Sequence, residues 1–561
     1  MSTLEIQNLT AGFRSEGAES IVLKDISLKV SSGQTLAIVG ESGSGKSVTS
    51  MHIMQLLDKN SAFIREGKIN FGETRISQLG DLGKIRGGSI AMVFQEPMTA
   101  LNPTMPCGKQ VSEMLRLHTD MRKSEAKDRT LELFNQVEIP DPERAYSAYP
   151  HELSGGQKQR VVIAMAISCE PAFLIADEPT TALDVTVQDA ILKLLNNLQR
   201  EHNMGMIFIT HDLAVVSDIA DYVCVMYKGE IVETGSANSI LKSPKHAYTQ
   251  GLLACRPPLN SRPHRLPTVA SIVKQEKIDS HIETIVERTD RLTSINQSPT
   301  VIQVKGLSKI FTPKSLFSKS KKVVHAVSDV SFSIRQGETF GLVGESGCGK
   351  TTLSRMLVGL IPLSSGTIEY GDQSLEQLVN AKTGALARIV QIIFQDPYSS
   401  LNPRLTVGEA IMEPMKVHQT VLGKKEQYGR AVELLELVGL DDPAMSRYPH
   451  EFSGGQRQRI GIARALAVEP QILICDESVS ALDVSVQAQI LNLLNDLKEQ
   501  LNLSLLFISH DLSVVKYMSD RIMVMNQGEI EEIGEADDLF ANPNSAYTQK
   551  LIDSIPGKDL Q

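Results

Sequence analysis

The sequence at 40–47 is GESGSGKS, and at 344–351 it is GESGCGKT. Both stretches have the form G-x-x-x-x-G-K-[ST], in which glycines let successive backbone N–H groups converge on phosphate oxygens at a helix N-terminus. The context fits: each follows a short apolar run, LAIV (36–39) or FGLV (340–343), and precedes residues that favour helix. The candidate phosphate cradle in the first stretch is Gly40, Glu41, Ser42, Gly43, Ser44, Gly45, Lys46 and Ser47. In the second it is Gly344, Glu345, Ser346, Gly347, Cys348, Gly349, Lys350 and Thr351. Lys46 and Lys350 are expected to reach the β- and γ-phosphates of ATP, and Ser47 and Thr351 to ligate Mg²⁺. Average residue usage gives such a match about once in 30,000 positions. Two at equivalent places in one chain are not chance.

Working outward, the flanks repeat too. TLAIVGESGSGKSVTS (35–50) matches TFGLVGESGCGKTTLS (339–354), and FQEPMTALNP (94–103) matches FQDPYSSLNP (394–403). YPHELSGGQKQR (149–160), LIADEPTTALDVTVQ (174–188) and IFITHDLAVV (207–216) all recur 299 residues later. A period this long marks a duplicated domain, not a solenoid. Domains are expected at 1–255 and 301–561. The stretch between, 256–300, begins RPPLNSRPHRLP and reads as a tether, with a short helix possible in its second half. A flexible chain of that length reaches about 35–40 Å. The basic stretch KSLFSKSKK (314–322) has no counterpart in the first copy and reads as a solvated loop.

Composition narrows the class. The chain has 561 residues, too many for one core. Its formal charge of −10 argues against a nucleic-acid partner. The cysteines at 107, 169, 224, 255, 348 and 475 lack metal-ligand spacing and suit a reducing compartment. No run of 18 apolar residues occurs, so if this protein moves a solute across a membrane, another chain must supply the path.

Two further motifs supply chemistry. The apolar runs FLIA and ILIC end in Asp177–Glu178 and Asp476–Glu477. There the aspartates are expected in the Mg²⁺ shell, and the glutamates are expected to orient and deprotonate water. Alone, such a pair would more often be a helix cap beside an exposed Glu. The third motif is Ser154, Gly155, Gly156, Gln157 and its repeat Ser453, Gly454, Gly455, Gln456, each opening an apolar helical run and able to approach an anion. The serine stands 24 residues before the glutamate in both copies.

Together these residues resemble the ATP-binding cassette (ABC) ATPases, whose signature is SGGQ. The resemblance implies an α/β fold of two P-loop NTPase domains, each with a RecA-like core, a helical subdomain and an antiparallel β edge. It makes Gln95 and Gln395 the glutamines that sense Mg²⁺ and the membrane subunit, His211 and His510 the γ-phosphate switch, and Asp184 and Asp483 the D-loop aspartates. Phe13 and Phe311 become the aromatics that stack on adenine. It also implies an intramolecular cassette dimer, closed head to tail, with each ATP between one phosphate loop and the opposite SGGQ. Both copies keep every catalytic group, so two competent sites are expected.

The FQ(E/D)P and YPHE(L/F)SGGQ segments, with SPKHAYTQGLL (243–253) and NPNSAYTQKLI (542–552), are similar to the dipeptide, oligopeptide and nickel importer ATPases. Fused pairs of that subfamily include glutathione and microcin C types. The implied partners are two transmembrane permease subunits, received by helical insertions at about 96–159 and 396–458, and indirectly a periplasmic or extracellular solute-binding protein. The implied location is peripheral, on the cytoplasmic face of the bacterial inner membrane. The rival reading is an ABC-F translation factor on the ribosome, but its linker is typically a longer charged helical arm, unlike this Pro-rich one.

Overall fold

The computed structural model describes residues 2–558 except 16–17, 79–81, 84, 182, 278, 280, 313–322, 382–383 and 481. The basic stretch at 314–322 therefore lies outside the described residues. Each half opens with an antiparallel sheet whose long strands pair hairpin-fashion, Thr3–Ser15 with Ala18–Ser31 and Thr300–Phe311 with Val324–Arg335. Its alternation explains itself: Leu4 and Ile6 are buried while Thr3 and Glu5 are partly exposed, so one face is core and the other meets solvent.

The second sheet carries the chemistry. In the first half its order is Glu230–Ser236, Tyr222–Tyr227, Thr35–Val39, Gly205–Thr210, Phe173–Asp177, Ile90–Val93. All neighbours are parallel except the antiparallel first pair. The inner strands are buried along their whole length, which is why they are uniformly apolar rather than alternating. The phosphate loop leaves the carboxyl end of Thr35–Val39, next to the strand that ends at Thr210 and one strand removed from the one that ends at Asp177. Those side chains therefore meet at one edge of the sheet. The second half repeats this order with Thr339–Val343 at the same place.

Between strand Ile90–Val93 and helix Gly155–Ile167 lies a helical insertion, Cys107–His118, Lys123–Gln136 and Pro142–Ser147, packed through Val111, Leu115 and Phe134. Its counterpart is Val407–His418 and Lys424–Leu437. Among the described residues, no helix is long and apolar enough to cross a membrane.

The segment at 256–300 differs from a free tether. It forms helices Val269–Val273 and Ile285–Gln297; the first packs against helix Ala247–Ala254 of the first half, where a Cβ on Gly251 would come within 3.0 Å of Val269, and the second lies on the second half. Leu259, Leu266 and Val269 are buried, and Leu266 exchanges two backbone hydrogen bonds with the Asn492 amide, both 2.9 Å. Arg288 donates to Asp520 (3.2 Å) and to Glu535, and Arg291 lies 2.8 Å from Asp520. These aliphatic side chains, with buried Ile295 and the paired arginines, hold down what its prolines suggested was loose.

Candidate active sites

The conformation of each phosphate loop demands glycine. Gly43 and Gly45 have φ of 78° and 105°, Gly347 and Gly349 of 83° and 111°. A Cβ on Gly45 would come within 2.7 Å of the Leu23 side chain, and one on Gly349 within 2.4 Å of the Ala326 carbonyl oxygen. The lysine opening each following helix is buried and folded back: Lys46 Nζ donates to the Gly40 and Glu41 carbonyls at 2.7 and 3.0 Å, and Lys350 Nζ to Gly344 and Glu345 at the same distances. Burial holds the Lys46 ammonium below its ordinary range.

The acidic pairs end their strands as expected. Ser47 Oγ donates to Asp177 at 3.1 Å, whereas in the second half it is Ser354 Oγ that donates to Asp476, at 2.8 Å. Burial pushes Asp177 up to about 6 and raises Asp476 as well. Such carboxylates favour a nearby cation.

Glu178 and Glu477 turn the chain with positive φ, 46° and 50°, which is uncommon for any residue with a Cβ and typical of sites where geometry outranks backbone comfort. The Glu178 carboxylate collects Gln95 Nε2 (3.1 Å), Thr181 Oγ1 (3.0 Å), His211 Nδ1 (3.2 Å) and, at 3.8 Å, Lys46 Nζ. Burial pushes its pKa up, but the bond and charge of His211, with Lys46, outweigh burial and hold it at about 2. His211 is raised in turn: burial lowers it, and Glu178 more than compensates. In the second half Gln395 Nε2 donates to Glu477 at 2.7 Å and His510 Nδ1 stands 3.7 Å away. Glu477 is likewise lowered, burial being overcome by His510 and Lys350.

The signature serines cap their helices: Ser154 Oγ accepts from Gln157 N–H (3.3 Å), and the Gln157 side chain accepts from Ser154 N–H (3.2 Å). Ser453 and Gln456 do the same. The two glycines differ. A Cβ on Gly156 would stand 2.7 Å from Val187, and one on Gly455 2.3 Å from Val486, whereas the nearest atom to one on Gly155 or Gly454 is a leucine methyl at 3.8 Å. The second glycine of each pair thus lets its helix touch the helix that follows the D-loop of the same half. Phe13 is half-buried on its strand; Phe311 is 41% exposed with Lys309 Nζ 5.1 Å above its ring.

The halves meet head to tail through the D-loops. Asp184 accepts from Ser346 N–H at 3.2 Å, and Asp483 from Ser42 N–H at 3.1 Å. Beside them, Thr186 Oγ1 donates to Glu345 at 2.8 Å and Ser485 Oγ donates to Glu41. Thr181, Thr186 and Ser485 were not singled out from the sequence. For the last two a signal existed, since ALDVT and ALDVS both keep a hydroxyl two residues past the aspartate. For Thr181 there was none.

The ABC transporter family model matches 23–181 and 327–480, and that of the oligopeptide/dipeptide transporter C-terminal region matches 232–280 and 532–560. The chain is 47% identical, over 99% of its length and 90% of theirs, to proteins named glutathione import ATP-binding protein GsiA from Pectobacterium atrosepticum and Salmonella typhimurium. To that of Escherichia coli O157:H7 it is 46% identical over the same shares. The paired phosphate loops, the D-loop contacts and these matches over nearly the whole chain make it a member of the ABC transporter ATP-binding proteins, an ATPase with two cassettes in one polypeptide.

Proposed function

We propose that this ATPase drives import of a peptide-type solute, a small peptide such as glutathione, with ATP cleaved at two composite sites shared by the halves. The cargo class is supported by the likeness to glutathione import ATP-binding proteins over nearly the whole chain, and the composite sites by the reciprocal pair of contacts, Asp184 to Ser346 and Asp483 to Ser42, by which each half touches the other's phosphate loop. Nucleotide phosphates would lie on the loop N–H groups of one half and face the SGGQ helix of the other, so that binding favours closure and loss of the γ-phosphate favours opening.

The residues present fit Mg²⁺: each site has a buried carboxylate of raised pKa bonded by a hydroxyl, Ser47 on Asp177 and Ser354 on Asp476. Asp177, Ser47 and Gln95 would hold it in one site, and Asp476, Thr351 and Gln395 in the other. When bound it neutralises charge on the β- and γ-phosphates. Lys46 and His211, now spent on Glu178 and loop carbonyls, are free to turn to the γ-phosphate. Doing so removes the cations that hold Glu178 acidic. Its carboxylate then accepts a proton from the water that attacks phosphorus, the bond to ADP breaks, and inorganic phosphate leaves. Phe13 and Phe311, near matching strand ends, would stack on adenine.

Permease subunits would dock on the helical insertions, where Met98 and Tyr398 are exposed at 48% and 66% and Leu117 and Val417 at 72% and 65%. The chain would then work at the cytoplasmic face of the membrane, with a solute-binding protein acting from the far side. Reconstitution with its permeases into vesicles tests this. Uptake of labelled glutathione or a dipeptide should require ATP and be abolished by Glu178→Gln; ATP hydrolysis with no uptake of any peptide would refute the cargo class.

A further inference from the structure

A carboxylate is the wrong charge for a phosphate cradle, yet each loop carries one at its second position, Glu41 and Glu345. Both are engaged elsewhere. From the other half, Ser485 donates to Glu41 and Thr186 to Glu345. From their own half, a tyrosine of the C-terminal region meets the same residue: Tyr248 Oη accepts from Glu41 N–H at 2.9 Å, and Tyr547 Oη from Glu345 N–H at 3.2 Å. Tyr248 is fully buried and also bonds the Glu41 carboxylate; Lys550 stands 3.7 Å from that of Glu345. These tyrosines lie on helices Ala247–Ala254 and Ala546–Asp553, which touch helices Val484–Leu501 and Val185–Glu201 of the opposite half. The second residue of each phosphate loop is thus a junction between its own C-terminal region and the opposing cassette. Simple packing would need only the tyrosine ring, not a hydroxyl aimed at a loop N–H in both copies.

We propose that Tyr248 and Tyr547 are positioning residues, which set each phosphate loop, through Glu41 and Glu345, at the point where the other half grips it, and so tune ATP affinity from the C-terminal regions. This rests on the reading that nucleotide binds these loops. The test uses the full chain, with ATPase rate measured against ATP concentration. Tyr248→Phe with Tyr547→Phe keeps both rings and removes the hydroxyl's hydrogen bonds to Glu41 and Glu345. The ATP concentration for half-maximal rate should rise about three- to tenfold. The saturated rate should fall by less, and the nucleotide-free melting temperature should move by about 2 °C or less. Ser485→Ala with Thr186→Val should weaken ATP similarly, and the four changes together should cost less than the product of the two pairs. An unchanged half-saturation, strictly multiplicative effects, or variants that no longer fold would each overturn the proposal. Lys46→Ala with Lys350→Ala separates the two readings: if ATP binding survives that change, it is the loop assignment that fails.

Discussion

At the residue scale the candidate chemistry converges on Glu178 and Glu477. Each is forced into a left-handed backbone turn and surrounded by a glutamine, a histidine and a lysine. With the nucleotide's γ-phosphate competing for the cations, the carboxylate becomes the base. Glu178→Gln and Glu477→Gln are each expected to lower steady-state turnover by about 10²-fold or more, measured as phosphate release, while ATP binding persists. Full turnover after either change would contradict two competent sites. His211→Ala removes the group that most lowers Glu178 in the nucleotide-free site, so the pH profile of kcat/KM should show the acidic limb shifted toward higher pH and a reduced maximum. The lysines, acidic pairs and SGGQ turns were legible because phosphate chemistry fixes residue type and spacing together. The positive φ at the glutamates and the engagement of Glu41 were not, since they depend on partners up to 444 residues away.

Among elements, the inter-domain segment departs furthest from its sequence. Its prolines and mixed charge gave no periodic signal, and the aliphatic side chains that anchor it, Leu259, Leu266, Val269 and Ile295, are scattered. What those residues cover is informative. Asp221 and Asp520 occupy equivalent places and each accepts a strand N–H, of Thr35 and Thr339, at 2.8 Å, yet Asp221 is exposed and Asp520 is 1% exposed. The inter-domain arginines make the difference. Burial pushes Asp520 up, but Lys498, Arg291 and Arg288 hold its carboxyl well below the usual carboxylate range. A depressed carboxyl contributes stability that is complete above its unfolded value, near 3.9, and is lost as pH falls through the folded one. Acid unfolding followed below pH 4 should therefore be steeper for the native chain than for Asp520→Asn. At neutral pH, Arg288→Ala should cost about 3 kcal/mol by denaturant melt of the second cassette, because it strands buried carboxylates. A change under about 0.5 kcal/mol would mean the segment is not held by these pairs.

For the whole molecule, the duplication was readable from the 299-residue repeat, the helical insertions only through family resemblance, and the strand order only from the structure. The contact between halves was readable only through family resemblance, because no pattern within one cassette announces its partner. Asp184→Ala with Asp483→Ala should loosen that contact. With labels on the two cassettes, ATP should shorten the inter-label distance less in the variant than in the native chain. An identical closure would show the D-loops to be bystanders.

The docked segment also bears on how such an ATPase keeps its identity in a cell that makes related ones. Because 256–300 packs through Val269–Val273 on the last helix of the first cassette and is fastened through Arg288 and Arg291 to the second, the segment joins the two as a shared brace rather than a loose cord. A cognate neighbour is thus always at hand, at far higher local concentration than any freely diffusing rival. Every assembly receives one of each cassette by construction, and a mismatched pair, with two copies of the same half, has no easy route to form.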